Sequence, residues 1–315
     1  MTNRRVELDE AVARLARGEL VAIPTETVYG LAARADDAKA VAAIFEAKGR
    51  PTGHPLIVHL GEGGALEAWA RELTPSARRL ADVLWPGPLT LVVRRSARAL
   101  DQVTGGLDTV ALRVPRHPLA REVIRRVGAP LAAPSANVFG HVSPTTAMHV
   151  LTEPFARDVA VLDGGPCEIG LESTIVDVTG VVPVLLRPGG VPRETIEEIL
   201  GAEIADGREG PARAPGMLAA HYAPRARVVA VRDRAEAEAL VAAATGMVAW
   251  IGAAPIDGAL FVAAAADPAA RARELYASLR ALDARGVSMV VVELPAETGL
   301  GLAIADRLRR ASRGR

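Results

Sequence analysis

Leu8, Val12 and Leu15 recur at helical spacing and stop at Gly18, and Leu20 to Ile23 is then a short apolar run closed by Pro24. This pattern predicts a helix followed by a strand. Further apolar runs predict strands at 56–60, 90–94, 110–114, 130–133, 159–162, 174–178 and 183–186, and amphipathic periodicity predicts helices over 37–47, 75–84, 118–127, 144–151 and 192–200. Thr74-Pro75, His117-Pro118 and Ser143-Pro144 each place a capping residue before proline, the order expected where a helix begins. Strands and helices alternate irregularly, and 174–186 reads as two strands joined through Gly180, so a mixed sheet is expected instead of a purely parallel one.

From 201 to 227 the periodicity dissolves into Gly, Pro, Ala and charge, with Gly207, Gly210, Pro211, Pro215, Gly216 and Pro224. That segment is expected to be a linker between a first domain at 1–200 and a second at 228–315. In the second, strands at 228–231, 247–251, 260–263 and 289–294 are interspersed with helices over 234–243, 268–284 and 302–311, the pattern of a small doubly wound, Rossmann-like α/β domain. No G-x-G-x-x-G turn occurs there, so a dinucleotide is not indicated.

Composition narrows the function classes. Half of the 315 residues are apolar, enough for two cores, while aromatic residues are 3% and formal net charge is zero, which disfavours a stacking platform or a global basic field for nucleic acid. Any phosphate site must be local. A single cysteine, Cys167, excludes an intramolecular disulfide and a cysteine-based zinc cluster. No leader pattern and no apolar stretch of 18 residues is seen, so the expectation is a cytoplasmic protein with no membrane partner. The cations are 35 arginines and two lysines, Lys39 and Lys48. Lys39 falls on the polar side of its helix, but Lys48 lies in Lys48-Gly49-Arg50-Pro51, where a compact charge on a flexible stem suits a moving phosphate.

Four segments concentrate polar residues at the ends of expected strands, where open α/β sheets bind ligands: 24–30, 48–50, 134–137 and 171–174. No Walker A sequence is present, so a nucleotide would be held by side chains and loop amides.

Pro-Thr-Glu-Thr-Val-Tyr-Gly-Leu at 24–31, Lys-Gly-Arg-Pro at 48–51 followed by Pro55-Leu56-Ile57-Val58-His59, Trp85-Pro86-Gly87-Pro88-Leu89-Thr90, Ala133-Pro134-Ser135-Ala136-Asn137, Glu172-Ser173-Thr174-Ile175 and Leu186-Arg187-Pro188-Gly189 resemble, in order, the YrdC-like family of threonylcarbamoyl-AMP synthases. Ala214-Pro215-Gly216-Met217, His221-Tyr222-Ala223-Pro224 and the α/β tail resemble its longer two-domain branch. The resemblance implies a twisted mixed sheet with a concave site. It implies synthesis of L-threonylcarbamoyladenylate from L-threonine, bicarbonate or CO2, and ATP with Mg2+, for a downstream tRNA threonylcarbamoyl transferase machinery. Carbamate attack on the α-phosphate needs positioning and charge neutralisation more than a covalent nucleophile.

Residue by residue, the resemblance implies ATP contacts from Lys48, Arg50, His54, Thr109, Ser135, Asn137, Ser143, Arg187 and Tyr222, with Lys48 and Arg50 also catalytic through charge stabilisation. It implies threonine contacts from Thr27, Tyr29, His59, Arg113, Ala133 and Ser173, Arg113 matching the carboxylate bidentately. Plainer readings stand beside these: Ser143 as an N-cap, Asn137 as an Asx turn, Arg187 as a solvated strand end and His59 as a structural residue. His54 stands where the family usually has asparagine and cannot reproduce an amide's paired donor and acceptor. Glu26 and Glu172 are the few carboxylates in these segments, so Mg2+ is expected on phosphates and water, with no protein metal site. The linker is expected to fold over the first domain as a lid, with Tyr222 near the nucleotide. An RNA-binding module of the same fold, a hydrogenase-maturation type of carbamoyl transferase and a catalytically dead paralogue are the alternatives, and direct tRNA binding is left open.

Overall fold

A computed structural model describes residues 4–208, 214–216 and 221–313. Met217, Gly210 and Pro211 of the expected linker lie outside the described residues. The first part of the chain runs β1 (Arg5–Val6), α1 (Leu8–Ala16), β2 (Val21–Ile23), β3 (Gly30–Arg34), α2 (Ala38–Lys48), β4 (Ile57–His59), α3 (Leu66–Trp69), α4 (Pro75–Leu84) and β5 (Leu89–Arg94). It continues α5 (Asp101–Thr104), β6 (Thr109–Arg113), α6 (Pro118–Val127), β7 (Leu131–Ala132), α7 (Ala147–Leu151), β8 (Ala160–Leu162), β9 (Thr174–Asp177), β10 (Val184–Arg187), α8 (Arg193–Leu200) and β11 (Ala205–Asp206). These strands form one mixed sheet of eleven, in the order β1-β8-β2-β3-β7-β4-β6-β5-β9-β10-β11. The second part has β12 (Arg227–Val231), α9 (Arg234–Ala243), β13 (Val248–Gly252), β14 (Leu260–Ala263), α10 (Pro268–Ala284), β15 (Met289–Glu293) and α11 (Leu300–Ser312). Its four strands are parallel, in the order β12-β15-β13-β14.

Alternation along each strand decides which face it serves. On β6, Val110 and Leu112, with Val114 beyond its end, join the core that takes the inner faces of α2 and α4, whereas Ala111 faces Ile57, Val92, Ile175 and Leu186 on the other side. Arg113 shares the Ala111 face at the strand's C-terminal end. Helix α2 explains the placement of Lys48. Asp37 caps it by accepting from Lys39 N and Ala40 N, its buried stripe is Val41, Ile44, Phe45 and then Lys48, and Gly49 ends it in the left-handed region at φ 58°. Periodicity therefore turns Lys48 inward and leaves Lys39 exposed.

Some expectations need correction. Helix α7 begins at Ala147, where the Thr146 side chain accepts from His149 N, so Ser143-Pro144 does not start it. The Pro144 carbonyl instead accepts from Tyr29 N at 2.9 Å. Strand β3 was not anticipated, because Gly-Leu-Ala-Ala-Arg has little alternation, yet it pairs antiparallel with β2. The two-residue edge strands β1 and β11 are too short to leave a periodic signal, and β11 falls inside the segment expected to be pure linker. No helix joins β13 to β14.

The two sheets share a core. Val28, Val142 and Leu171, from loops of the first, pack with Tyr222 against Leu275, Tyr276 and Leu279 of α10 and Ile304 and Leu308 of α11. Gly170 makes the approach possible: at φ +79° it is left-handed, and a Cβ there would lie 2.5 Å from Arg273 Cα and 2.8 Å from Arg273 O. Gly170→Ala is expected to lower stability in urea denaturation by at least about 2 kcal/mol, from left-handed strain plus displacement of α10. A change below about 0.5 kcal/mol would show that the two parts do not depend on this contact.

Candidate active site

The loops after β2, α2, β7 and β8, together with β3, β4, β6, β10 and residues 215–216 and 221–222, converge on one partly open cavity of about 50 Å3. Thr25, Thr27, His59, Arg113, Ala133 and Ser173 line one part, and Arg50, Ser135, Arg187, Pro215, His221 and Tyr222 line another, with Glu172 also reaching the surface. A cavity of that size admits water, far below the roughly 300 Å3 or more that a bound small molecule needs. Linker residues occupy the remaining room. The Pro215 carbonyl accepts from Arg187 Nη1 at 3.0 Å, and any side chain at Gly216 would collide with the Tyr222 hydroxyl and Arg187. Tyr222 itself sits at φ 63°, unusual for an aromatic residue, and its buried hydroxyl has no hydrogen-bond partner.

Arg113 is 3% exposed and already engaged: Nη1 donates to Thr27 Oγ1 at 2.9 Å, Nε to Gly87 O at 3.2 Å, and Nη2 lies 2.7 Å from Glu26 Oε1. Burial would raise the Glu26 carboxyl, but Arg113 outweighs it and holds the group below its ordinary value. His59 Nδ1 approaches Ile57 O at 3.3 Å, and burial, then Arg113, push its pKa down to about 3, so the ring is neutral. Ser173 Oγ meets Thr90 Oγ1 at 2.7 Å, and its carbonyl accepts from Arg187 Nε at 3.1 Å and Nη2 at 2.8 Å.

Three cations at this cavity have no carboxylate partner among the hydrogen bonds that hold them. Lys48 lies just behind the wall, its ammonium donating to Ser135 O and Asn137 O, and burial, then Arg50, depress its pKa well below the usual lysine range. Arg50 donates Nη2 to Pro55 O at 2.9 Å, its Cζ lies 5.3 Å from the Phe139 ring centroid, its buried Nε has no partner, and burial lowers it to about 10. Arg187 is held by the Ser173 and Pro215 carbonyls and lowered by burial.

The remaining expected residues lie farther out. Asn137 Nδ2 donates to Val138 O at 2.7 Å and His141 O at 2.9 Å, bracing the 135–141 loop behind the cavity. Ser143 Oγ donates to Glu172 Oε1 at 2.6 Å, so it is neither N-cap nor cavity lining. His54 does not line the cavity; it lies edge-on to Phe139 at 5.6 Å, the start of a ring series through His221 and Tyr222 to Tyr276. Thr109 begins β6, four residues and about 13 Å before Arg113. Tyr29 does not line the cavity as expected: its ring packs in the core with Ala147, Val150 and Val161, and its hydroxyl donates to Gly165 O at 2.8 Å.

Glu172 was noted in the sequence without its partners. Its Oε2 accepts from Arg307 Nε at 2.8 Å and from Tyr276 OH at 2.9 Å. Burial alone would raise this carboxyl, but Arg307, then Arg187 and the Ser143 hydrogen bond, hold it at about 2. No sequence signal marked this pairing, because Asp306-Arg307 stands beside Arg309 and Arg310 in a helix end that reads as solvated charge. Because the folded value lies below the ordinary 4.5, this group's contribution, on the order of 3 kcal/mol, is present above about pH 4.5 and lost as pH falls through about 2. Arg307→Met is expected to cost about 3–5 kcal/mol at pH 7 and to be less destabilising at pH 5, where the stranded carboxyl can take a proton. Urea midpoints at the two pH values check this, and an equal cost at both would contradict it.

Known proteins resemble both parts of the chain. Residues 13–189 match the Sua5_yciO_yrdC family model, described as Telomere recombination, and residues 191–313 match the model described as Threonylcarbamoyl-AMP synthase, C-terminal domain. The chain is 43% identical over 328 residues to a threonylcarbamoyl-AMP synthase of Pyrococcus abyssi, covering 98% of this chain and 96% of that one. It is 40% identical over 325 residues to the Bacillus subtilis threonylcarbamoyl-AMP synthase, covering 98% and 94%. A crystal structure of P. abyssi Sua5 complexed with L-threonine superposes with TM-score 0.91 at 42% identity, covering 98% of this chain and 94% of that one.

Proposed function

The chain belongs to the Sua5/YciO/YrdC family, and from that premise we propose that its cavity makes L-threonylcarbamoyladenylate from L-threonine, bicarbonate or CO2, and ATP. It is an enzyme of the nucleotidyl-transfer type, a threonylcarbamoyl-AMP synthase. The observation that carries the reading is convergence: a carboxylate-matching arginine with neutral hydroxyl and imidazole partners shares one cavity with Arg50 and Arg187, and Lys48 lies just behind its wall, all three hydrogen-bonded to backbone carbonyls and to no carboxylate. The alternatives of an RNA-binding module, a hydrogenase-maturation carbamoyl transferase or an inactive paralogue are set aside, since relatives spanning nearly the whole chain are named synthases.

Arg113, Thr27, Ser173, the Ala133 backbone and neutral His59 form the threonine side. The threonine carboxylate binds Arg113 in competition with Glu26. The threonine ammonium gives one proton to solvent; the amine lone pair then forms an N–C bond to CO2 as one C=O π pair moves onto oxygen, and a second proton leaves nitrogen for solvent, giving the carbamate anion. A carbamate oxygen then attacks the α-phosphorus as the bond to the bridging oxygen breaks, and pyrophosphate leaves with that electron pair. Arg50, Lys48 and Arg187 neutralise the charge that builds on the leaving oxygens, exchanging backbone carbonyls for phosphate oxygens. Ser135 and Asn137 order the facing loop. Mg2+ fits as an ion carried in on ATP, where it neutralises phosphate charge: Glu26 and Glu172 are taken by arginines, and among the described residues no group of three His, Cys, Asp or Glu can hold a metal.

The linker is read as a lid. His221 and Tyr222 must withdraw to admit ATP and then close over the products, keeping water from a labile carbamate and adenylate. The product has one use that its chemistry suggests, transfer of the threonylcarbamoyl group to tRNA by a downstream transferase. Among the described residues no helix is long and apolar enough to cross a membrane.

Mass spectrometry of protein mixed with ATP, Mg2+, threonine and bicarbonate is expected to detect threonylcarbamoyl-AMP only when all are present; product without threonine or bicarbonate contradicts the assignment. Lys48→Ala and Arg50→Ala are each expected to lower turnover by about 100-fold or more. Lys48→Arg is expected to lose rate clearly as well, since a guanidinium does not fit a slot that is 2% exposed. Arg113→Lys should raise the threonine requirement far more than the ATP requirement, because the paired hydrogen bonds are lost while charge is kept. Equal effects on both substrates would place Arg113 outside the threonine site.

A further inference from the structure

Two residues of the C-terminal unit reach the site through Glu172. Helix α11 sends Arg307, 1% exposed, to Glu172 Oε2 at 2.8 Å, while its Nη2 donates to Pro188 O at 2.9 Å and its Cζ lies 4.8 Å from the Tyr222 ring centroid. Helix α10 sends Tyr276, whose hydroxyl donates to the same carboxylate at 2.9 Å and whose ring stacks on Tyr222 at 6.0 Å. Four residues on, Arg280 lies on the same helix face and donates Nη2 to Val142 O and Glu153 Oε1, both at 2.5 Å, and Nε to Ser143 O at 3.4 Å. Glu153 Oε2 in turn accepts from Val138 N at 3.0 Å. The segment from Asn137 to Ser143 is thus tied at both ends to helices from outside its own sheet.

We infer that Tyr276 and Arg307 are positioning residues for the nucleotide side of the site, clamping Glu172 so that its other oxygen fixes the Ser143 hydroxyl and with it the 137–143 loop. The inference rests on the proposed function and deepens it by giving the C-terminal unit a part in ATP binding. The geometry is specific. Oε1 faces Ser143 at 2.6 Å, and Oε2 faces Arg307, so the carboxylate cannot turn without losing one partner. Every element around it contributes: Arg307 and Asp306 on α11, Tyr276 on α10, Arg187 on β10, and His221 and Tyr222 of the linker. With all lone pairs of Glu172 committed inward, its task is to hold the loop, and a free base or a metal ligand is not available there.

A double-mutant cycle in the full-length chain tests this, with ATP·Mg2+ affinity read by calorimetry. Tyr276→Phe keeps the ring stacked on Tyr222 and removes only the donor to Glu172, and Ser143→Ala removes the hydroxyl on the other side. Each is expected to weaken ATP binding about 5- to 10-fold, and the double variant by no more than the weaker single, because both act through one carboxylate. L-threonine affinity should move less than about 2-fold and the thermal midpoint only a few degrees. Losses that multiply in the double variant, an unchanged ATP affinity in Tyr276→Phe, or equal losses for both ligands would overturn the clamp and leave α10 a purely structural support. The same samples are assayed for product. A wild-type chain that binds ATP but forms no threonylcarbamoyl-AMP overturns the proposed function while the cycle is still read, and one that binds no ATP overturns both.

Discussion

Buried positive charge whose hydrogen bonds go to backbone carbonyls and not to carboxylates is the constraint that organises this protein. Lys48, Arg50 and Arg187 are each less than one-tenth exposed, and backbone carbonyls of Ser135, Asn137, Pro55, Ser173 and Pro215 accept their hydrogen bonds. Carbonyl dipoles satisfy donors but do not cancel charge, so burial first, and then repulsion of Lys48 by Arg50, of Arg50 by Arg187 and of Arg187 by Arg307, depresses all three cations. A polyanion removes that cost directly. On the proposed function, the free energy released when phosphate oxygens replace carbonyls would be available to order the surrounding loops.

The opposite arrangement prevails on the carboxylate side. Glu26 is committed to Arg113 and Glu172 to Arg307, so neither negative charge in the cavity is left to repel a phosphate or recruit a metal. The second of these pairs crosses between the two sheets, and the hydrophobic cluster that joins Val28, Val142 and Leu171 to α10 and α11 crosses with it. The C-terminal unit therefore backs the site through Glu172 without lining the cavity. The linker adds to the lining: Tyr222 packs against both Arg307 and Tyr276, held in a backbone conformation that an aromatic residue adopts only under constraint.

Much of this was legible in the sequence where local rules dominate. Thr74-Pro75 begins a helix as its capping order implies, Gly18 ends the helical turn before β2, and the parallel tail follows its periodicity closely. The mixed sheet followed from irregular alternation and the hairpin through Gly180. Local rules failed where tertiary partners decide. Ser143 before Pro144 looks like a cap, but a carboxylate from 29 residues away takes its hydroxyl. Tyr29 belongs to a polar motif yet turns its ring into the core, because β3 alternation points it there. Arg307 was invisible as a site neighbour, since its partner is 135 residues distant and nothing local distinguishes a buried arginine from a solvated one. Rarity, by contrast, was informative: in a chain with two lysines, the one inside the polar cluster is the one the helix turns inward.

That rarity also permits a direct test of the central claim. NMR of the chain carrying 13C-labelled lysine contains only the Lys39 and Lys48 signals, with exposed Lys39 as the reference resonance. The account predicts that Lys48 titrates well below the usual lysine range in the free protein and moves upward when ATP and Mg2+ bind, as phosphate supplies the missing counter-charge. A Lys48 titration that lies in the ordinary lysine range and does not respond to ATP would contradict it.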